Sequence, residues 1–443
     1  MKSKILTCIA GMSLFTPLAV PVRAAAQTPR YTVIDLGPAT TQFSQASSVS
    51  NDGLVTGLST IPDGTQHAVL WYKGLIKDIA KHEPSGQNSG AGGVNEFGLV
   101  MGETEISTKD PNNENFCAYG TGLECRAFLW QNGVMIQLPT LGGNNSGYGA
   151  INNLGELAGY AENDTRDPEC APGVAVSGTG PQVLDFEAVI WGPRPAQIRE
   201  LRPLPGDTVG VALGINDKGQ AVGMSGSCGN TVLPGPTAGP HAVLWENGTV
   251  TDLGSFGGTV DTSLFGVGNV AFAINNRAQV AGISALPGST NGHAFLWTRE
   301  TGMRDLGTLS GDVMSAGLGM NNGGEVVGPS LDASGNPSAF LWRNGLMSDL
   351  NALVQKDPPL YLLMADGIND VGQIAGFGTD SNGDIHAFLA TPCGSEDDSE
   401  STASAEQAGG SEGGKAVLTE NARKQLQKLL RFRLPGAQPT EPQ

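Results

Sequence analysis

Several residue types recur along this chain at spacings that could support chemistry. Histidine opens a short apolar run at His67, His241, His293 and His386, and tryptophan closes such a run at Trp71, Trp130, Trp191, Trp245, Trp297 and Trp342. Four histidines could ring a metal, and six tryptophans could stack on sugars. Asparagine recurs at Asn95, Asn152, Asn216, Asn275, Asn321 and Asn369 in the pattern Ile-Asn-x-x-Gly-x-Val-x-Gly, with Ser50 in the first copy. Asp35, Asp78, Asp252, Asp305 and Asp349 begin Asp-Leu-Gly-like ends, with Gln137 and Glu200 in two other copies. A group present in every copy is more economically explained by holding each copy together than by one chemical step. The histidines and aspartates therefore read as hydrogen-bonded structural positions and the tryptophans as packing between layers. The asparagines read as turn residues that bond their own backbone.

Outside the repeat the catalytic inventory is thin. His82 is the single remaining histidine, and neither a Gly-x-Ser-x-Gly elbow nor a phosphate-cradling loop occurs. No catalytic residue and no cofactor motif is identified. Glycoside cleavage would need two converging carboxyl groups, for which Asp110, Asp164, Asp207, Asp261 and Asp312 are the possible sources. Asp380, Asn382 and Asp384 alternate oxygen side chains as calcium prefers, and Asp332-Ala333-Ser334-Gly335-Asn336 repeats the arrangement one copy earlier. Neither segment carries the glutamate of an EF-hand loop, so a hairpin turn is the rival reading. Cys117 and Cys125, eight residues apart, are the first disulfide candidates. Cys170 and Cys228 are the second, leaving Cys393 unpaired, and no Cys-x-x-Cys spacing points to zinc.

Elements follow from the order of the motifs. The asparagine turn joins two strands, the tryptophan run is a third, and the Asp-Leu-Gly end closes a fourth, often after an Asn-Gly hairpin such as Asn247-Gly248. Successive turns lie 45 to 64 residues apart, a propeller-like period. The third-strand runs are continuously apolar, as in sheets covered on both faces. The expected fold is all-β, a single seven-bladed β-propeller of four-stranded antiparallel blades. The chain opens on an orphan fourth strand, Tyr31 to Gly37, and its repeats end on an orphan third strand, His386 to Ala390. Joined, they complete the last blade and leave no open edge. Long insertions at 103–125, 160–186, 224–240, 80–91 and 255–270 fall on one face of such a ring and the tight turns on the other. Loops on a rigid scaffold are where binding usually sits.

The His-Ala-Phe triplets at His293-Ala294-Phe295 and His386-Ala387-Phe388, in this fixed order with the other motifs, resemble the HAF-repeat family of bacterial extracellular proteins. The resemblance spans about residues 31 to 391. It implies a β-propeller placed outside the cytoplasm and brings no established activity. Ser50, Ala278, Ala390, Gln137 and Glu200 depart from the motif in single copies.

The flanks carry separate signals. Residues 1–26 combine Lys2 and Lys4, a short apolar stretch and Ala24-Ala25-Ala26, the marks of an export signal. The propeller is expected over 27–393, an acidic Ser/Gly linker over 394–414, a basic amphipathic helix over 415–434 and a disordered end over 435–443. The net charge is −18, an unfavourable balance for binding nucleic acid. Residues 415–434 reverse it locally, with Lys415, Arg423, Lys424, Lys428, Arg431 and Arg433 against Glu420. Such a helix could touch an anionic surface weakly. The functional expectation is a secreted or periplasmic binding or scaffold module for a glycan or protein, acting through its elaborated face. The alternative is an extracellular propeller enzyme, a glycosidase or polysaccharide lyase.

Overall fold

The structure, a computed structural model, describes residues 31–38, 43–80, 87–168, 182–194, 196–228, 240–258, 268–289 and 291–393. The expected signal segment, acidic linker, C-terminal helix and chain end lie outside the described residues, as do His82, Asp261 and Cys170.

Seven antiparallel sheets form, one per repeat. From the channel outward, blade one is Ser44–Val49, Val55–Thr60, Gln66–Tyr72 and Leu75–Asp78. Blade two is Ser89–Val94, Val100–Lys109, Leu123–Gln131 and Val134–Gln137, and blade three Gly142–Ile151, Leu157–Arg166, Leu184–Trp191 and Ile198–Leu201. Blade four is Val209–Ile215, Ala221–Gly226, His241–Glu246 and Thr249–Asp252, and blade five Asn269–Ile274, Val280–Ala285, Gly292–Thr298 and Gly302–Gly307. Blade six splits its first strand into Met314–Ser315 and Gly319–Met320, followed by Val326–Leu331, Pro337–Arg343 and Leu346–Asp349. Blade seven is Tyr361–Ile368, Ile374–Thr379 and Ile385–Pro392, and its outer strand is Tyr31–Asp35 from the N-terminal side. Val33 lies opposite Ala390 and Asp35 opposite Phe388. The chain is a seven-bladed β-propeller closed as its motif order predicts.

Three repeated devices make the ring. All six tryptophans are buried, and each packs its blade onto the one before: Trp245 on Ala188 and Ile190, Trp342 on Ala294 and Leu296. Ala390, where the seventh tryptophan would stand, shares its cluster with Tyr31, Leu350 and Leu353. Those leucines sit on one short helix, α1 (Leu350–Leu353), inserted after the outer strand of blade six. It forms because the strand-end Asp349 caps it, accepting from the Asn351 N–H at 2.8 Å.

The second device is the turn asparagine. Asn95 Oδ1 accepts the Phe97 and Leu99 N–H groups, each at 3.0 Å, as the sequence predicts. Its Nδ2 then donates to the carbonyl of Asn152 on the next blade at 3.0 Å. The same latch runs from Asn152 to Asn216, Asn275, Asn321, Asn369 and Ser50, at 2.8 to 3.2 Å. A second belt uses the following residue. The N–H of Asn51 reaches Glu96 Oε2, and successive N–H to side-chain oxygen bonds join Glu96, Asn153, Asp217, Asn276, Asn322 and Asp370. The Asp370 N–H returns to Asn51 Oδ1 at 2.8 Å, so the belt closes after seven steps.

The third device is the glycine that ends each turn motif. A Cβ on Gly223 would lie 1.9 Å from the Val211 carbonyl oxygen, and on Gly57 1.9 Å from that of Gln45. These contacts arise where the first strand bulges, between Ala212 and Gly214 and between Ala46 and Ser48. No helix among the described residues is long and apolar enough to cross a membrane.

Candidate functional site

The repeated charged residues form internal bonds. His67, His241, His293 and His386 face Asp78, Asp252, Asp305 and Asp35 at 2.8 to 3.1 Å, locking third strand to fourth. Each of these aspartates also accepts a backbone N–H two residues on, as in Gly254 to Asp252 at 2.8 Å. Asp380 accepts the Asn382 and Asp384 N–H groups at 2.8 and 2.9 Å on one oxygen and Asn382 Nδ2 on the other. The calcium candidates Asp380, Asn382 and Asp384 thus build a hairpin turn, and Asp332 does the same with Ser334 and Asn336.

The concentration of chemistry that is not repeated lies on the elaborated face over blades two and three. Asp110, Glu105, Glu114 and Glu162 are buried there, Glu105, Glu114 and Glu162 with no exposed surface at all. Glu114 Oε1 accepts the N–H groups of Val183 and Leu184, at 2.6 and 3.0 Å. Glu162 Oε2 accepts those of Asn144 and Asn145, at 3.1 and 2.9 Å. Gln182 Nε2 bridges Glu162 and Glu114, at 2.9 and 3.3 Å, and Asn145 Nδ2 bridges Asp110 and Glu162, at 2.8 and 3.0 Å. Glu105 holds the backbone N–H of Asn88 at 3.0 Å and the hydroxyl of Thr121. Buried carboxylates persist only when hydrogen-bonded, and each of these ties two chain segments together.

The residue 110–122 connection is further pinned by the Cys117–Cys125 disulfide, with the Cα atoms 5.5 Å apart. Cys228 is also disulfide-bonded and buried, and its expected partner Cys170 lies outside the described residues. Cys393 is free. Phe116 stacks at 5.3 Å from Tyr160 and shares an apolar cluster with Val211 and Val270 of the innermost strands and with Ala316. Tyr148 and Tyr160 lie so close over Gly92 and Gly147 that a Cβ there would meet the rings at 1.8 and 2.4 Å. Those glycines are space for aromatic rings, a role with no signal in the sequence.

Beneath this layer Glu103 lies against the disulfide, its carboxyl within 4.8 Å of both sulfurs. Both sulfurs are committed to the bond, so the trio offers no metal site. Burial, and then Glu105, push the Glu103 carboxyl up to about 8. Burial, and then Asp185 and Glu200, push Glu187 up to about 8, and burial with Asp167 pushes Asp185 up to about 6. Glu187 and Glu200 occupy the positions that are His and Asp in other blades. Burial raises Glu114 and lifts Glu162 well above the usual carboxylate range, with Glu114 adding to the rise in Glu162.

Of the aspartates proposed as carboxyl sources, Asp261 lies outside the described residues, and among the other four Asp110 alone joins this cluster. Asp207 and Asp312 accept Ser225 and Ser330 hydroxyls on blades four and six, and Asp164 is exposed. The pair that does converge, Glu114 and Glu162, carried no signal as a pair.

A central channel runs beneath. Its mouth on the tight-turn face is a 160 Å³ space ringed by the second belt, Glu96, Asp217 and Asp370 among its amides. A 220 Å³ space follows, walled by the innermost strands and including Leu213, Phe272, Leu318 and Asp366.

No family model matches the chain, and no curated protein does. Among solved structures, it is similar to a puromycin hydrolase, at 13% identity and a TM-score of 0.47, covering 78% of this chain and 51% of that one. TolB from Acinetobacter baumannii aligns at 11% identity and a TM-score of 0.38, over 76% of this chain and 64% of that one. The Aleuria aurantia lectin AAL aligns at 8% identity and a TM-score of 0.33, over 82% of this chain and 91% of that one. The chain thus spans about half the length of the hydrolase it matches.

Proposed function

We propose that this protein is an exported, non-catalytic binding module whose recognition surface is the elaborated face over blades two and three. The observation that carries the reading is the fate of the converging carboxylates. Glu114 and Glu162 meet, but with no exposed surface, with backbone N–H groups on one oxygen of each and side-chain amides on the other. Groups so placed brace loops; a glycosidase or lyase pair must face a substrate. Bracing removes in advance the ordering cost that binding would otherwise carry. Export is supported by the Cys117–Cys125 disulfide, by the signal-like residues 1–26 and by the resemblance to the extracellular HAF-repeat proteins.

Glu114→Gln and Glu162→Gln separate the readings. As braces they lower the melting temperature, and folded wild-type protein binds at least one probe on combined glycan and protein arrays. Loss of polysaccharide cleavage in either variant, with melting unchanged, would establish the enzyme instead. Arrays without any bound probe would overturn the binding reading.

A further inference from the structure

The seven turns are alike, so a place where several side chains depart from the repeat together marks something the ring does not require. That place is the junction of blades five and six on the tight-turn face, away from the surface proposed above. A cleft of about 550 Å³ opens there between the turns of the two blades. Arg277, Gln279, Leu296, Gly324, Trp342 and Arg343 line it.

The third turn position also departs from the repeat here. It carries Asp52, Phe97, Leu154, Lys218, Arg277 and Val371 in the other six copies, and Gly323 in blade six. Gly323 lines the cleft and puts no side chain over it. Around it the chain gathers cations, although its net charge is −18. Arg343 follows the tryptophan, where other blades carry Tyr72, Gln131, Gly192, Glu246, Thr298 or Thr391. Arg304 lies over the Trp342 ring at 5.7 Å. At no other junction does arginine stand at all three equivalent positions.

The acidic groups of the cleft are already committed. Glu325 pairs with Arg343 Nε at 2.9 Å and accepts Asn321 Nδ2 at 2.7 Å. Asp370 accepts the N–H and Nδ2 of Asn322, each at 2.8 Å. Arg277 and Arg304 form no ion pair among the described residues, and Arg343 has its Nη groups left to offer. Guanidinium forks match the planar geometry of a carboxylate. Gln279 and Asn344 add amide groups suited to hydroxyls, over the apolar floor of Leu296 and Trp342. The volume is within the range of small-ligand pockets.

We propose that this cleft binds an acidic sugar, its oxyanion held by Arg277 and Arg343 and its ring seated over Leu296 and Trp342 beside Gly323. The shared chemistry is an oxyanion on a hydroxylated ring, and a uronate is the form that best fits two planar forks.

The test titrates glucuronate, glucose, glucose 6-sulfate and inorganic sulfate into the full chain at pH 7 and low salt, read by ligand-observed NMR. Glucuronate binds and glucose does not. Arg277→Glu and Gly323→Leu each weaken glucuronate by at least about tenfold, the loss of one charge-assisted bond or of the space itself. Gly323→Leu leaves every charge in place and restores a side chain that Leu154 carries elsewhere, so its melting temperature stays at the wild-type value. Stronger binding of glucose 6-sulfate, lost in the same variants, upholds the site and assigns it a sulfated sugar. Glucuronate binding that is absent, equalled by glucose or inorganic sulfate, or insensitive to both variants overturns the proposal. The array result above is separated from this one by running both variants on the same arrays: neither touches the elaborated face, so probes they still bind belong to that face and probes they lose belong to this cleft.

Discussion

Glu103 offers the sharpest energetic test of the layer over blades two and three. It is 9% exposed, and burial lifts its carboxyl from an ordinary 4.5 to about 8. The folded protein therefore holds it as a neutral acid where the unfolded chain would ionise it. Below pH 4.5 both states are protonated and the group's contribution to stability is fully present. As pH rises towards 8 the unfolded chain gains by ionising and the folded one does not, so that contribution is lost. At about 1.36 kcal/mol per pH unit, the loss across this window is about 5 kcal/mol. Glu103→Gln abolishes the titration and keeps the shape. For a ring of roughly 360 residues, 5 kcal/mol corresponds to about 6 °C in melting temperature. Scanning calorimetry at pH 4.5, 6.5 and 8.5 is the assay. The variant should melt with wild type at pH 4.5 and progressively above it as pH rises. A variant less stable than wild type by a constant amount at all three values would refute the reasoning, showing a charged Glu103 already compensated in the fold.

Other expectations follow from the ring. Ser50 is the copy without an amide to donate to the next blade, so Ser50→Asn should supply the missing latch to the Asn95 carbonyl and raise stability by roughly 0.5–1.5 kcal/mol in denaturant melts. Asn216→Ala removes two caps and the Nδ2 bonds to Gln220 and Asn275, and should cost about 2–4 kcal/mol in the same melts. Gly223→Ala places a methyl 1.9 Å from a carbonyl oxygen and should cost more than about 4 kcal/mol, or prevent folding. Gly248→Ala meets no atom within 4 Å, so only its φ of 77° resists, at roughly 1–2 kcal/mol by thermal melting.

The fold was legible because its signals are local and repeated. A tryptophan closing an apolar run, an asparagine five residues before its strand and an Asp-Leu-Gly end each announce one piece of a blade, seven copies fix the order, and the half-units at Tyr31 and His386 announce closure. Contacts between copies were not legible. Nothing in Asn95 says that its second amide hydrogen bond reaches Asn152 57 residues on, and nothing in Gly92 says that Tyr148 lies on it. The buried carboxylates were missed for a different reason. Glu114 and Glu162 fall in the segments 103–125 and 160–186, which the sequence reads as loop insertions where a charged residue is ordinarily solvated, so the default reading is exposure. Helix α1 escaped because Asp349 looked like one more strand end, and only the Leu-Asn-Ala-Leu after it, in place of Leu-Gly, lets the chain turn.

The central claim is that seven repeats close into one ring through the N-terminal strand, and the chain carries its own reporter for it. Thr32 Oγ1 lies 3.5 Å from the free thiol of Cys393, 361 residues away. Thr32→Cys therefore places a second thiol within bonding reach. The account predicts a single disulfide between position 32 and Cys393 after mild oxidation, found by peptide mapping, with a reducible rise in melting temperature. In the chain-entropy view a loop of that length contributes up to about 6 kcal/mol, less any strain. Two free thiols in a folded, oxidised protein would contradict the closure, and with it the ring.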